Sequence, residues 1–109
     1  MTDKELLKLA AKAAGNEVVW GRFGAGEEWL TEDTVLGGLR PWRPLTDDGD
    51  ALRLAVKLGI ETEFFSGTVY AGPRRTAKYS VDASETLDIL AATRRAIVRA
   101  AAEIGRAMP

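Results

Sequence analysis

Basic and aromatic side chains occur close together in two parts of this 109-residue sequence. One cluster contains Arg74, Arg75 and Lys78 near Tyr70, in a segment of strand-like composition. Guanidinium and ammonium groups can bind a phosphate or a carboxylate while an aromatic ring stacks on a base. We therefore predict a partner-binding site here. A solvated turn flanked by packed tyrosines is the alternative interpretation.

The second cluster combines tryptophan with arginine in a segment that is also punctuated by glycine. Tryptophan and arginine are enriched at the energetic centres of protein interfaces. The predicted partner-binding residues of this segment are Trp20, Arg22, Trp29, Arg40, Trp42 and Arg43. Packing of the tryptophans into the core is the alternative, and it applies above all to Trp42, which precedes a predicted helix.

The composition argues against catalysis, because the sequence contains no histidine and no cysteine. Imidazole bases, serine triads, thiol nucleophiles and ordinary zinc sites are thereby excluded. Asp47, Asp48 and Asp50 could hold a hard cation, but helix capping explains them better. The glycines of residues 21–26 lack the Lys-Ser/Thr of a phosphate-binding loop. We predict no enzyme, no catalytic residues, no metal and no cofactor.

The charge balance also limits the classes of partner. The formal net charge is -1, which argues against strong non-specific binding to nucleic acid or to an anionic membrane. No stretch has the roughly 18 apolar residues of a membrane span, and the charged N-terminus does not resemble a signal peptide. We expect a cytoplasmic protein.

The first half of the chain predicts two helices around an irregular segment. Thr2 and Glu5 have the spacing of a capping box, which begins a helix over residues 3–14. Residues 16–45 read as a long loop packed by its aromatic side chains, with a short strand at 17–20 and an extended stretch at 42–45. Thr46 or Asp47 then caps a largely buried helix over residues 48–58.

The second half predicts a hairpin and a long helix. Residues 60–71 read as one strand with a bulge at Gly67, followed by a turn at Gly72 and Pro73 and a strand over residues 75–81. Asp82 and Glu85 then cap a helix that ends near residue 107. The predicted fold is one α+β domain, residues 1–109, with three helices packed on a small antiparallel sheet as an α/β/α sandwich.

Two segments resemble a known family. Trp42-Arg43-Pro44-Leu45-Thr46-Asp47 before a helix is similar to a W-x-P-x-T-D pattern in small phage and prophage proteins, and Ala92-Thr93-Arg94-Arg95-Ala96-Ile97 resembles their closing helix. Over about residues 40–107 the chain thus resembles the phage ABA sandwich domain family, the NinX-like phage proteins. The resemblance implies an α+β sandwich of phage or prophage origin and supplies no catalytic residues. Residues 16–41 depart from the pattern.

Small phage accessory proteins without enzyme signatures generally act by binding. The first hypothesis is an anti-defence protein that inhibits a host bacterial protein, such as a CRISPR effector, in the cytoplasm of the bacterial host. The alternative is a nucleotide-binding protein that sequesters a signalling molecule of a defence system, through Arg74, Arg75, Lys78 and an aromatic ring. In either case we expect a homodimer, because a small chain with three tryptophans and a long helix leaves apolar surface to cover.

Overall fold

The computed structural model describes residues 1–73, 79–82 and 88–109. These residues form three α-helices and two three-stranded antiparallel sheets, so the predicted α+β class is confirmed. The strands lie in two sheets where one was expected. In chain order the elements are α1 (Asp3–Ala14), β1 (Val19–Phe23), β2 (Gly26–Glu32), β3 (Leu39–Pro41), α2 (Asp48–Leu58), β4 (Ile60–Phe65), β5 (Thr68–Pro73), β6 (Tyr79–Asp82) and α3 (Ile89–Ala107).

Helix α1 begins and ends as its sequence predicts. The Thr2 hydroxyl accepts a hydrogen bond from the backbone N–H of Glu5 and donates to the Glu5 carboxylate. Gly15 ends the helix in the left-handed region, at φ 69°. Because glycine has no Cβ, it adopts this conformation without steric cost.

Helices α1 and α3 pack very closely because small residues line their contact. Gly105 of α3 lies against the backbone of Leu9, and alanines such as Ala10 and Ala101 are fully buried nearby. Arg95 of α3 also makes a two-pronged ion pair with Asp3, at 3.1 and 3.2 Å. Helix α3 further contacts α2 and all three strands of the second sheet, so it is the centre of the fold.

The prediction of a long loop at residues 16–45 is wrong. The segment contains the first sheet, with strand order β1-β2-β3. A two-residue loop joins β1 to β2, with Gly24 at φ 62° in its first position. Glycine at this position is typical of the tight turns whose twist matches a hairpin. The glycines thus lie in turns between short strands. Because the strands are short and interrupted by glycines, the sequence pattern did not predict them.

The second sheet has the order β4-β5-β6 and differs from the predicted hairpin. The single strand expected over residues 60–71 is two strands, because Ser66 and Gly67, with φ 49° and 75°, form a tight turn. Gly67 is therefore in a turn and not in a bulge. Gly72 and Pro73, the predicted turn, belong to β5, where Pro73 pairs with Ile60. Of the predicted strand at 75–81, residues 79–81 lie in β6 and the preceding ones lie outside the described residues.

Helix α2 has the predicted bounds, but it is not largely buried. Asp47 caps it by accepting the backbone N–H of Asp50 at 2.8 Å. Ala51 and Leu54 face the core, while Leu52 is 63% and Val56 74% exposed. The segment before α2 was predicted as extended, yet it contains a turn in which the Asp47 N–H donates to the Arg43 carbonyl. Apolar residues on every side of α2 therefore leave an apolar stripe on the surface.

Helix α3 begins later than predicted. Asp82 lies in β6, and the N-cap of α3 is Asp88, whose carboxylate accepts the backbone N–H of Leu90 at 2.9 Å. Glu85, the other half of the predicted capping box, lies outside the described residues. The pairing of Asp82 with Thr68 places this aspartate in a strand, so the predicted cap at Asp82 is wrong.

Candidate protein-binding surface

Two predicted binding residues, Trp20 and Trp29, form an aromatic cluster between the first sheet and α1. Their rings meet edge to face at a centroid distance of 5.1 Å. Trp29 is buried and its indole N–H donates to the Lys4 carbonyl, while the Lys4 ammonium lies 4.2 Å from the Trp20 ring centroid. The Trp20 indole N–H donates to Glu27. Trp29 therefore holds the sheet on the helix, and only Trp20 is partly exposed.

Trp42 and Arg43 also have structural roles. Trp42 is 4% exposed and belongs to the main core. The Arg43 guanidinium binds the Glu28 carboxylate through two hydrogen bonds of 2.6 and 2.7 Å. This contact raises the pKa of Arg43 and lowers the pKa of Glu28. Arg22 lies exposed on β1, opposite Glu27 in the strand register.

Asp50 is the one buried charged residue among those described, and it connects three arginines. Its carboxylate accepts the backbone N–H of Arg43 at 2.9 Å, the Arg40 guanidinium at 3.2 Å and the Arg53 guanidinium at 2.7 Å. Burial by itself would raise the pKa of Asp50, but the hydrogen bonds from Arg43 and Arg53 and the charge of Arg40 together lower it. Arg40 is thus part of a network that ties β3 to α2.

The remaining aspartates at the start of α2 have internal partners as well. Asp47 caps the helix, and Asp48 accepts a 2.6 Å hydrogen bond from Arg94 of α3. Arg94 also donates to the Leu45 carbonyl at 2.9 Å. Within residues 1–73, 79–82 and 88–109, no cluster of acidic residues has the geometry to hold a metal ion. Because Arg94 donates to the Leu45 carbonyl, the two segments that carry the family resemblance contact each other.

The hairpin cluster is only partly described. Tyr70 is half-buried on β5, opposite Glu63. Arg74, Arg75 and Lys78 lie outside the described residues, so the predicted basic cluster and the nucleotide hypothesis that depends on it remain predictions.

A different surface feature is the turn between β2 and β3, which comprises residues 33–38. The Asp33 carboxylate accepts the backbone N–H groups of Val35 and Leu36, at 3.0 and 2.9 Å. Two backbone hydrogen bonds between Asp33 and the glycines Gly37 and Gly38 close the turn. The hydrogen bonds from Leu36 and Val35 lower the pKa of Asp33, so its carboxylate is ionised and an acceptor at neutral pH.

This β2–β3 turn presents two apolar side chains to solvent. Val35 is 88% exposed and Leu36 is 86% exposed. The prediction that residues 16–45 pack onto the domain is therefore wrong at these two positions. An aspartate at the start of the turn and two glycines at its end were the available signal, because such residues favour a tight turn over packed loop structure.

A polar pocket of about 510 Å³ adjoins this turn. Thr34 of the turn lines it together with Trp42, which forms an apolar part of its wall. Its charged lining consists of Glu17, Glu32, Arg40, Asp50, Arg53 and Lys57. The pocket is therefore continuous with the exposed turn and differs from it in chemistry.

A second concave surface lies between α2, α3 and β4, and we call it the α2–α3 groove. It has a volume of about 730 Å³ and is mainly apolar. The exposed Leu52 and Val56 of α2 line it, together with Leu90 and Ile97 of α3. Leu90 is 58% exposed.

Comparison with known proteins gives no match: no family model, no curated protein and no solved structure is significantly similar to this chain. In the described part of the chain, no helix is long and apolar enough to cross a membrane.

Proposed function

We propose that this protein acts by binding another protein, without catalysis, and that the β2–β3 turn of residues 33–38 is its main contact. The observation that carries this proposal is the exposure of Val35 and Leu36 on a turn closed by backbone hydrogen bonds and by those that the Asp33 carboxylate accepts. Adjacent apolar side chains at the tip of an ordered turn have no role in the core of this chain.

The energetics of association support this use of the turn. Burying an aliphatic side chain fully contributes about 1.5–3 kcal/mol. Ordering a flexible loop at an interface reduces that gain, and a loop already held in its bound conformation avoids the cost. The hydrogen bonds of Asp33 fix the backbone at Val35 and Leu36, so the turn is pre-organised to insert two apolar side chains into a concave partner surface.

The setting of this activity is proposed from the family resemblance in residues 40–107. In a phage or prophage, a small binding protein would act in the cytoplasm of the bacterial host. We propose that it inhibits a host defence protein, such as a CRISPR effector, by stoichiometric contact. Expression of the chain in cells with active CRISPR immunity should restore plaque formation by a targeted phage, and plating efficiency that stays unchanged would contradict this setting.

The proposal includes a homodimer formed through the α2–α3 groove. Exposed apolar patches on small proteins are commonly covered by a partner, and two-fold dimers are the commonest assembly. Leu52 and Val56 are one helical turn apart, so they present a continuous apolar stripe to a second copy. The β2–β3 turn lies outside this groove lining, which leaves it available to another protein.

Site-specific photocrosslinking tests the main contact directly. A photoreactive amino acid replaces Leu36, and a matched variant carries it at the exposed position of Lys8 on α1. In the cells that naturally contain the protein, position 36 should give a discrete adduct that excess unmodified protein suppresses. Equal adducts at both positions, or none at position 36, would contradict binding through the turn.

A further inference from the structure

The polar pocket beside the β2–β3 turn has charges of both signs on different elements. Arg53 and Lys57 are four residues apart on α2, so they lie on the same side of that helix. Glu32, at the end of β2, and Glu17, between α1 and β1, line the same pocket. The pocket therefore has cationic side chains from α2 and from Arg40 of β3, and acidic side chains from β2 and from the segment after α1.

Hydrogen bonds hold the side chains of Arg53 and Lys57 in position, and both side chains still have N–H donors for a ligand. Arg53 Nη2 donates to Asp50 at 2.7 Å, and the Arg53 side chain is still 65% exposed. A guanidinium has five N–H donors, so the contact of Nη2 with Asp50 and its longer ion pair with Asp47, at 3.9 Å, leave other donors for a further carboxylate. Lys57 Nζ lies 3.4 Å from the Asn16 side-chain oxygen, a long contact that an incoming anion can replace.

Asp50 itself is an internal counter-ion. Its carboxylate is 4% exposed and accepts hydrogen bonds from three arginines, so it holds Arg40 and Arg53 in place. The acidic groups that can meet a ligand are those of Glu17 and Glu32, which are both exposed.

This arrangement selects against ligands with one kind of charge. A purely anionic group next to Arg53 and Lys57 would share the pocket with Glu17 and Glu32, and like charges repel. A purely cationic group next to Glu17 and Glu32 would in turn share the pocket with Arg53 and Lys57, which would repel it. A ligand with an acidic and a basic group can pair with both walls, and complementary charge of this kind gives an interface its specificity.

We propose that the polar pocket binds a dipolar segment of the partner protein, in which an acidic side chain pairs with Arg53 and Lys57 and a basic one pairs with Glu17 or Glu32. This proposal rests on the proposed function, because Thr34 lines the pocket and directly precedes Val35 and Leu36. A partner that contacts the β2–β3 turn would therefore be adjacent to the pocket. A volume of about 510 Å³ is in the range of sites that hold small ligands, so two side chains fit.

Three capped tripeptides test this proposal on the full chain. Acetyl-Glu-Ala-Lys-amide is the dipolar probe, and the analogues with Gln in place of Glu or in place of Lys each lack one charge. Binding is followed by NMR through the backbone amides of the ¹⁵N-labelled protein. The dipolar peptide should bind about two- to fivefold more tightly than either analogue, the range expected for exposed ion pairs. The largest shifts should be at Asn16, Glu32, Thr34 and Lys57.

Two charge reversals give the matched comparison. Lys57→Glu should remove the preference for the dipolar peptide, and Lys8→Glu, on an exposed position of α1 outside the pocket lining, should leave it unchanged. Equal affinity for the three peptides, or shifts confined to other surfaces, would overturn the proposal.

The peptide titration and the crosslink at position 36 can fail separately. A specific adduct at position 36 with no peptide preference overturns the pocket proposal and leaves the β2–β3 turn as the contact. A clear peptide preference without an adduct overturns binding through the turn, and with it the statement that turn and pocket share one partner.

Discussion

The carboxylate of Asp50 accepts the backbone N–H of Arg43 at 2.9 Å, so a buried charge on α2 fixes the chain where it leaves the first sheet. The same carboxylate binds the guanidinium groups of Arg40 and Arg53. Asp50 thereby holds β3, α2 and one wall of the polar pocket in a fixed relation. The surface that we propose for partner binding depends on this internal network.

Replacing Asp50 with alanine should destabilise the fold. The change removes charge-assisted hydrogen bonds, which contribute about 1.5–3 kcal/mol when one partner is charged. We expect a loss of about 2 kcal/mol in the free energy of unfolding, measured by denaturant titration. Asp47→Ala, which removes an exposed helix cap, should cost about 1 kcal/mol, so a smaller loss for Asp50 than for Asp47 would contradict the network.

The stabilisation by Asp50 should also depend on pH. The pKa of this carboxyl is lowered from its ordinary value of 3.8, so its contribution is present above that value and is lost as the pH falls through the folded-state pKa. The difference in unfolding free energy between the parent and Asp50→Asn should therefore narrow as the pH falls below about 4. A difference that is constant from neutral pH into this acid range would show that the pKa of Asp50 is the same in the folded and the unfolded protein, which would contradict the lowered pKa.

Gly105 should be intolerant of even the smallest side chain. A Cβ at this position would overlap the Leu9 carbonyl oxygen and lie 2.8 Å from the Leu9 carbonyl carbon, so α1 and α3 would have to separate. Gly105→Ala should lower the free energy of unfolding by about 1–3 kcal/mol, as overpacking does in other cores. Gly26→Ala is the control, because a Cβ at Gly26 meets no atom within 4 Å. Equal melting temperatures for the two variants would contradict this close packing.

Much of the fold could be predicted from local signals. The bounds of α1 and α2 follow from caps and from terminal glycines, because these interactions are local in sequence. The start of α3 could not be predicted, since Asp82 and Asp88 both suit a cap and a non-local strand pairing places the first in β6. The first sheet was missed for a similar reason, because short strands rely on cross-strand pairs such as Trp20 with Trp29.

The candidate site was harder to predict than the fold. Trp42 and Arg43 have the residue types of an interface, but their side chains are satisfied within the chain. Val35 and Leu36 have the residue types of a core, but they are exposed. Residue type gives the chemistry that a side chain can perform, whereas its exposure depends on tertiary packing.

Self-association should depend on the α2–α3 groove. The parent should be a dimer in size-exclusion chromatography with light scattering, and Leu52→Glu with Val56→Glu should give a monomer, because four carboxylates would have to be buried at the interface. Phe65→Glu, at a position 72% exposed and outside the groove lining, is the control and should remain a dimer. A monomeric parent across micromolar concentrations would contradict the proposed dimer.

The Asp33 side chain should contribute to partner affinity through the shape of the turn. Asp33→Ala removes the acceptor for the N–H groups of Val35 and Leu36, so the turn would have to be ordered on binding. We expect a loss of about threefold to tenfold in affinity. Asp33→Asn keeps a side-chain oxygen in place and should bind nearly as the parent does. If both variants bind equally weakly, the charge of Asp33 and not the turn geometry is what the partner recognises.

Calorimetric titration of the crosslinked partner, once it is identified and purified, tests the central claim most directly. The parent should bind with a stoichiometry of one chain per partner site and leave the partner chemically unchanged. Val35→Ser with Leu36→Ser should keep the unfolding free energy within about 0.5 kcal/mol of the parent, because both positions are exposed. The same variant should bind at least about tenfold more weakly, since two apolar contacts are lost. Unchanged affinity of a folded double variant would contradict binding through the β2–β3 turn, and covalent modification of the partner would contradict binding without catalysis.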